Sequence, residues 1–327
     1  AKCSHEDVSG LNMQRPYHLI NTNIVLVDSP TSKYRGRGGD CFILSPLYCG
    51  SYATGWRRTK KYMKRLTRGM TLPTAMAISC AGVNPNAGVG GQGVTRNRLV
   101  STLMSLLNIR LGYWALNPEK TPFLLFPPNF FFPGLKGVFG CGLSEERRAI
   151  ELTDGGHFEN LALYELIRRK LSVIIVSDAG ADPDFHFGDL ANAVERVRVD
   201  FKTKIRFQDP EKNLEGVLPK SEDGLLAVKY NLAKRGFAIA DILYNDGAKG
   251  HIIYIKTTLT KGLPTVIYGY RNANPKFPDQ STADQFFDES QFEAYRELGY
   301  QLTWQMLDSE AAKEILFGKD EKFRSNP

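Results

Sequence analysis

The motif best suited to catalysis is Asp154-Gly155-Gly156, within the segment ELTDGGHFENLALYELIRR. A carboxylate followed by two glycines suits a turn with positive φ, because glycine adopts that conformation at no steric cost and the carboxylate stays exposed. The preceding AIEL predicts a short strand, and a helical pattern follows. A carboxylate between a strand and a helix is well placed for a site at the carboxyl edge of a sheet. Asp-Gly is also a common turn dipeptide, so the motif alone favours an ordinary turn.

Ser79 and His157 are two further catalytic candidates near this motif. Ser79, in AMAISCAG, is an alternative nucleophile, although a small residue among Ala and Cys at a helix end is more typical of packing. His157 follows Asp154 closely, but a His-Asp relay needs an imidazole that faces a nucleophile. We therefore expect His157 to orient or cap the turn, and Glu159 and Asn160 to begin the next helix.

The sequence predicts no metal and no cofactor. Asp178 and Asp182, in SDAGADP, end a predicted strand without a histidine partner, which is more typical of a turn and a helix cap. The VGGQGV loop at 89–94 lacks the Lys and Ser or Thr of a phosphate loop. The five cysteines show no metal-ligand spacing: Cys3, Cys41, Cys49, Cys80 and Cys141. Their odd, scattered arrangement indicates buried thiols in a reducing compartment, on the cytoplasmic side.

The elements that must position these residues alternate between strands and helices. Strands are predicted around residues 17–30, 41–50, 171–180 and 251–259. Helices are predicted around residues 56–70, 97–116, 161–170, 189–200 and 288–317. A helix joined tightly to a β-branched strand, as in LALYELIRRKLSVIIVSDAG, is typical of an α/β sheet with buried parallel strands. Without an internal repeat or low-complexity linker, a single domain over residues 1–327 is expected.

The net charge of +7 comes from one segment, residues 57–68, which holds seven Lys and Arg and no acid. Helical spacing over residues 56–70 places Trp56, Thr59, Met63, Leu66 and Met70 on one face, with the cations around it. Such a helix suits an anionic membrane surface; a solvated helix packed on the core by the same stripe fits equally well. The predicted membrane contacts are Trp56, Arg57, Arg58, Lys60, Lys61, Lys64 and Arg65. Charge confined to one helix, without a recognised motif, argues against a nucleic-acid partner.

The aromatic segment TPFLLFPPNFFFPG at 121–134 contains four internal prolines, which exclude a regular helix. It is expected either to cap an acyl-chain pocket or to cross the core, with the core slightly favoured. No stretch approaches the ~18–20 apolar residues that span a bilayer. The chain starts at Ala1 rather than at a methionine, which is consistent with a fragment or a processed product.

Longer blocks of the sequence resemble bacterial patatin-like phospholipases, a family related to the cytosolic phospholipases. TDGGHFENLALYELIRRKLSVIIVSDAGADP resembles the family's C-terminal catalytic block, and AMAISCAGVNPNAG resembles its block of small residues ending in proline. Further similar segments are FILSPLYCGS, LNIRLGYWALNP and QSTADQFFDESQFEAYRELG. Together they span residues 17–299, which makes the resemblance far more specific than the Asp-Gly-Gly motif alone.

The resemblance implies a three-layer α/β/α patatin-like fold with a mostly parallel or mixed sheet, and a Ser-Asp dyad. In such a dyad the serine lies in a G-x-S-x-G elbow, and the aspartate, here Asp154, takes its proton directly. The sequence contains no G-x-S-x-G: GLSEE at 142–146 lacks the closing glycine, and AISCA at 77–81 has alanine at both glycine positions. Because the family order places the elbow first, we expect the nucleophile on a segment upstream of Ala1 or on a separate chain.

The expected function is therefore hydrolysis of a phospholipid or related lipid ester through an acyl-enzyme, at a membrane surface. The alternative is a non-catalytic lipid- or protein-binding module that retains the patatin-like fold. A G-x-S-x-G elbow in an upstream segment of the same gene, or in a partner chain, would favour the enzyme over the module.

Overall fold

A computed structural model of the protein describes residues 16–64, 70–89, 104, 111–120, 141–220, 229–281 and 286–318. The chain divides into two compact units, Ala1–Ala162 and Leu163–Pro327, each with its own sheet and hydrophobic core. The expectation of a single domain stays a prediction.

The described part of the first unit contains a six-stranded sheet in which every neighbouring pair is antiparallel. The strands are β1 Ile20–Val25, β2 Gly39–Leu44, β3 Tyr48–Ser51, β4 Gly55–Arg58, β7 Tyr113–Leu116 and β8 Ala149–Asp154. Their order across the sheet is β4-β3-β2-β1-β8-β7. A separate hairpin pairs β5 Val83–Asn84 with β6 Gly88–Val89. β1 and β2 are buried along nearly their whole length, so both faces of the sheet centre are covered.

The helices described in the first unit are α1 Ser32–Arg37, α2 Thr59–Met63 and α3 Leu72–Ser79. α3 begins at Thr71, whose hydroxyl accepts the N–H of Thr74, and Pro73 occupies the first turn, where its missing N–H costs nothing. Ala75 and Ile78 of α3 pack into the core of the first sheet. Because α3 contacts both β1 and β8, its C-terminal end lies beside the end of β8.

The helix predicted over residues 56–70 is wrong at its start. Trp56–Arg58 pair with β3 in a tight hairpin, and α2 is only five residues long; residues 65–69 lie outside the described part. Tyr62 is fully buried and donates its hydroxyl to the carbonyl of Leu116 at 2.8 Å. Pairing with the adjacent strand β3 thus overrode the local helical spacing.

The helix predicted over residues 97–116 is also wrong at its C-terminal end. Tyr113–Leu116 form β7, which pairs with the first four residues of β8. Met104 is helical, whereas residues 97–103 and 105–110 lie outside the described part, as does the aromatic segment at 121–134. The strand therefore replaces the predicted end of the helix.

The second unit contains a mixed sheet. Its strands are β9 Val173–Asp178, β10 Lys204–Arg206, β11 Phe237–Leu243 and β12 Lys249–Lys256, in the order β10-β11-β12-β9. β9 and β12 are parallel, with Asp178 opposite Lys256, and the other pairs are antiparallel. Ile174 and Val176 of β9 are buried but Ile175 is 48% exposed, so this strand is covered on one face rather than on both as predicted.

The helices described in the second unit are α4 Leu163–Arg168, α5 Gly188–Phe201, α6 Thr265–Ala273, α7 Glu289–Asp308 and α8 Glu310–Phe317. The helical predictions over residues 189–200 and 288–317 are confirmed. α7 is capped by Asp288, whose carboxylate accepts an N–H of the first turn at 2.7 Å. Leu298 and Leu302 lie on the face of α7 that packs into the core of the second unit.

The expected α/β class is confirmed, since each unit combines helices with a sheet. The expectation of a mostly parallel or mixed sheet is wrong for the first unit, whose sheet is antiparallel. In the second unit the sheet is mixed, but it is not mostly parallel. β2, β3 and β4 follow one another through the short loops 45–47 and 52–54, which cannot form the crossover that parallel pairing requires. Within the described residues, no helix combines the length and the apolar character needed to cross a membrane.

Candidate active site

Asp154 is the last residue of β8 and pairs with Thr22 of β1. Because successive side chains of a strand point to opposite faces, Thr153 and Asp154 lie on opposite sides of the sheet. Thr153 is fully buried, whereas Asp154 is partly exposed. β8 therefore presents the Asp154 carboxylate towards solvent at the end of the strand.

The turn after β8 is a short 3₁₀ helix, Gly155–His157, capped by Asp154. Asp154 Oδ1 accepts the N–H of Gly156 at 2.7 Å, the usual role of an aspartate at a helix start. The predicted positive φ is wrong: the φ angle of Asp154 is −47°, and neither glycine adopts the left-handed conformation. The turn thus fixes the carboxylate through a backbone donor.

The two glycines are required for space rather than for a special backbone conformation. A Cβ on Gly155 would lie 2.6 Å from the backbone oxygen of Asn21, and a Cβ on Gly156 would lie 2.8 Å from Oδ1 of Asn160. Asn21 belongs to β1, so its carbonyl cannot move unless the strand moves. The Asp-Gly-Gly pattern is therefore a consequence of the close approach between this turn and β1.

The second carboxylate oxygen of Asp154 faces the block of small residues after α3. A Cβ on Gly82 would lie 3.2 Å from Oδ2, and the N–H of Asp154 donates to the carbonyl of Ala81 at 3.4 Å. Among the described residues, no hydrogen bond reaches Oδ2, whereas Oδ1 is held by Gly156. Two blocks that lie far apart in the sequence therefore meet at this carboxylate.

Ser79 ends α3 and donates its hydroxyl to the backbone carbonyl of Asn21 at 2.7 Å. No hydrogen bond joins Ser79 to Asp154 in the part of the chain that the structure describes. Since the serine proton is held by a carbonyl rather than by a base, this geometry favours packing over nucleophilic attack. Ser79 links α3 to β1 at the same carbonyl that Gly155 approaches.

His157 and Glu159 have roles in the turn. His157 Nδ1 lies 3.1 Å from the hydroxyl of Thr153, which also accepts from Asn23 Nδ2 at 3.1 Å. The imidazole is therefore tied to the residue on the opposite face of β8 from Asp154, which favours orientation over a relay. Glu159 is buried, and its Oε1 accepts the N–H of Leu161 at 2.5 Å just before α4, as expected for a residue at a helix start.

The prediction of buried thiols is only partly right. Cys41 and Cys49 are buried, and burial raises the pKa of the Cys49 thiol. Cys80 and Cys141 are exposed, because Cys80 follows the last turn of α3 and Cys141 lies in a loop. Within the described residues these four cysteines form no disulfide bond, and Cys3 lies outside that part of the chain.

In the second unit, Asp178 and Asp182 hold a loop by accepting backbone N–H groups. Asp182 accepts the N–H groups of His186 and Phe187 at 2.9 and 2.8 Å, just before α5 begins. Asp178 Oδ1 accepts the N–H of Gly180 at 2.9 Å. Within the described residues, no group of three or more His, Cys, Asp and Glu side chains is arranged to hold a metal ion.

The buried partners of Asp178 were missed from the sequence. Tyr254 donates its hydroxyl to Asp178 Oδ2 at 2.5 Å, and Lys256 Nζ lies 3.5 Å from Asp178 Oδ1. Lys256 is 1% exposed and also donates to the carbonyl of Gly180 at 2.6 Å. The sequence feature that could have indicated them is Lys256, a lysine at the end of the apolar strand HIIYIK, because a buried charge requires a partner.

The residues of the predicted membrane contact lie on two elements rather than on one helix. Trp56, Arg57 and Arg58 belong to β4, where Arg57 donates to the carbonyl of Pro118. Lys60 and Lys61 lie on α2, and Lys64 follows it; these three lysines and Arg58 are exposed. Arg65 lies outside the described residues.

Replacing Gly155 by alanine is expected to lower the free energy of unfolding by about 1–3 kcal/mol, because the new methyl group forces β1 to shift. Urea unfolding measures this change. Gly36→Ala is the matched control in the same unit, since a Cβ on Gly36 of α1 would meet nothing within 4 Å. Equal stabilities for the two variants would contradict the role assigned to Gly155.

The site therefore offers a carboxylate of fixed orientation that can accept a proton from a group approaching past Gly82. Comparison of the chain with family models, with curated proteins and with solved structures finds no match.

Proposed function

We propose that this protein is a serine lipid acyl hydrolase of the phospholipase or lysophospholipase type, with Asp154 as the base of a Ser-Asp dyad. The observation that carries the proposal is the asymmetry of the carboxylate. Oδ1 is anchored by the N–H of Gly156 at 2.7 Å, and Oδ2 lies beside Gly82 with no hydrogen bond from the described residues. A general base needs this combination, because proton transfer requires a fixed oxygen within hydrogen-bond reach of the nucleophile.

In the proposed reaction the serine oxygen attacks the carbonyl carbon of the lipid ester, and the serine proton passes to Asp154 Oδ2. Collapse of the tetrahedral intermediate breaks the ester bond, and the proton returns from Asp154 to the departing alcohol oxygen. Water then attacks the acyl-enzyme, giving its proton to Asp154, which returns it to the serine as the fatty acid leaves. No cofactor enters this cycle.

The nucleophile in this proposal lies on a segment upstream of this chain or on a separate chain, because residues 1–327 contain no G-x-S-x-G. The resemblance to patatin-like phospholipases supports that placement and the three-layer α/β/α arrangement that accompanies it. The substrate class is a phospholipid or related lipid ester, met at a membrane surface on the cytoplasmic side.

The second candidate is a non-catalytic lipid- or protein-binding module that retains the same fold. One observation favours it: the alternative nucleophile Ser79 donates its hydroxyl to a backbone carbonyl. A full-length product without a serine elbow would make this module the better proposal.

A fluorophosphonate probe, which labels activated serines covalently, tests the dyad on the native full-length product. We expect labelling on a serine outside residues 1–327, and we expect Asp154→Asn to abolish it. Asparagine keeps an oxygen that accepts from Gly156 but cannot take the serine proton, so the turn persists while the base is lost.

The matched control is Asp28→Asn, because Asp28 also accepts a glycine N–H, that of Gly142, at 2.7 Å in the same unit. Its labelling should equal that of the wild type. Labelling of Ser79 would overturn the assignment of the nucleophile. Absence of any labelled serine would favour the binding module.

A further inference from the structure

The surface of α7 carries large aromatic side chains that the core does not use. Phe292, Tyr300 and Trp304 are 63%, 57% and 58% exposed, and Phe286 and Phe287 just before the helix are also exposed. We call these five residues the α7 aromatic face. Isolated exposed apolar residues are normal, but three exposed aromatic side chains on one helix, with two more just before it, mark a contact surface.

This face is separate from the packing face of the helix. Ala294, Leu298, Leu302 and Met306 recur at helical spacing and are buried in the core of the second unit. Phe292, Tyr300 and Trp304 are eight and four residues apart, which places them together on another side of the helix. α7 is therefore anchored without them.

The charges around the face are mainly negative. Exposed carboxylates on α7 itself belong to Glu289, Glu293 and Asp308. Arg296, between Phe292 and Tyr300, is paired with Glu293 at 2.7 Å and Glu297 at 3.1 Å, and Lys313 is paired with Asp308 and Glu310 at 3.2 and 3.3 Å. The surface therefore repels an anionic bilayer and attracts cationic groups.

We propose that the α7 aromatic face docks on a zwitterionic lipid surface of phosphocholine type. Tyr and Trp are enriched where one end of a side chain meets hydrocarbon and the other meets water, which is the level of the lipid headgroups. The outermost group of phosphatidylcholine is a quaternary ammonium, which binds the faces of aromatic rings and is attracted to the surrounding carboxylates. Both the aromatic and the acidic character of the surface thus match this partner.

Docking on phosphocholine goes beyond hydrolysis, because it needs neither Asp154 nor a serine. It also predicts a lipid preference opposite to that of the basic segment 57–64, whose exposed lysines favour anionic lipids. The two surfaces can therefore be distinguished by lipid composition and salt.

Sedimentation of the full chain with phosphatidylcholine vesicles tests the proposal. We expect the wild type to bind vesicles without anionic lipid, and to bind less when phosphatidylserine is added. The triple variant Phe292→Ser, Tyr300→Ser, Trp304→Ser should lose at least about tenfold in partitioning, since the apolar area that enters the interface is removed. Brominated phosphatidylcholine should quench tryptophan fluorescence in the wild type, and Trp304→Phe should remove most of that quenching while binding persists.

The matched control is the double variant Tyr52→Ser, Val266→Ser, which removes two other exposed apolar side chains, 53% and 59% exposed. It should bind like the wild type. No binding to phosphatidylcholine, or equal binding by the triple and double variants, would overturn the proposal. Binding that requires phosphatidylserine and disappears in salt would also overturn it, because that result points to the basic segment. Self-association that only the triple variant abolishes would overturn it too, because that result points to a second copy of the chain as the partner.

Discussion

Replacing Asp154 by asparagine is expected to lower lipid-ester hydrolysis by about 10²–10⁴-fold, the usual contribution of a general base. The fold should survive, because an asparagine oxygen can still accept the N–H of Gly156. Hydrolysis of a chromogenic acyl ester by the full-length product, measured as kcat/KM, gives the size of the loss. Urea unfolding of the same variant should show a free energy close to that of the wild type.

Asp154→Ala separates the two roles of this carboxylate. Alanine removes both the base and the cap, so activity should fall as far as in Asp154→Asn, and the free energy of unfolding should fall by about 1 kcal/mol as well. If Asp154→Asn retained wild-type activity, Asp154 would be a capping residue only. If both variants lost stability equally, the activity loss would not identify a base.

Replacing Lys256 by methionine is expected to lower the free energy of unfolding by about 3–5 kcal/mol, because it leaves the Asp178 carboxylate buried without its cation. Methionine has similar length and can pack in the apolar surroundings, so the loss reports on charge rather than on volume. Burial and the nearby Asp178 charge raise the pKa of Tyr254 well above its usual range, so its hydroxyl remains a donor to Asp178. Without the lysine, the Asp178 carboxylate keeps hydrogen bonds from the Tyr254 hydroxyl and the Gly180 N–H. These two neutral donors do not compensate for the lost positive charge.

Urea unfolding followed by circular dichroism measures this effect. Lys170→Met is the matched control, because Lys170 pairs with Asp246 where both side chains are about half exposed. That change should leave the free energy of unfolding nearly unaltered, since water screens exposed ion pairs. The double variant Lys256→Met, Asp178→Asn should recover part of the loss. A Lys256→Met variant as stable as the control would show that the buried pair contributes nothing.

The sequence predicted the elements whose signal is local and continuous. The β-branched run of β9, the apolar run of β12 and the amphipathic patterns of α5 and α7 all appear near their predicted positions. Prediction failed for Trp56–Arg58 and Tyr113–Leu116, which have helical spacing but pair with strands elsewhere in the chain. Tyr113–Leu116 pair with Ala149–Leu152, far along the chain, which no periodicity reveals. Trp56–Arg58 pair with the adjacent strand β3, in a hairpin that their helical spacing concealed.

For the candidate site, the sequence identified Asp154 but not how it is held. The glycines suggested a left-handed turn, yet their function is to clear the carbonyl of Asn21 and the side chain of Asn160. Gly82 became relevant only through the fold, because its missing side chain leaves Asp154 Oδ2 uncovered. Such close approaches depend on three-dimensional packing, which cannot be predicted from residue types and spacing alone.

Each of the two larger described sheets has at one edge a short strand rich in cations: β4 carries Arg57 and Arg58, and β10 carries Lys204 and Arg206. An unpaired strand edge is a template for aggregation, and shortness and positive charge oppose the addition of another chain. Two such edges repel each other when they meet. Neutralising Arg57 and Arg58 to weaken contact with an anionic surface would therefore also reduce the solubility of the protein.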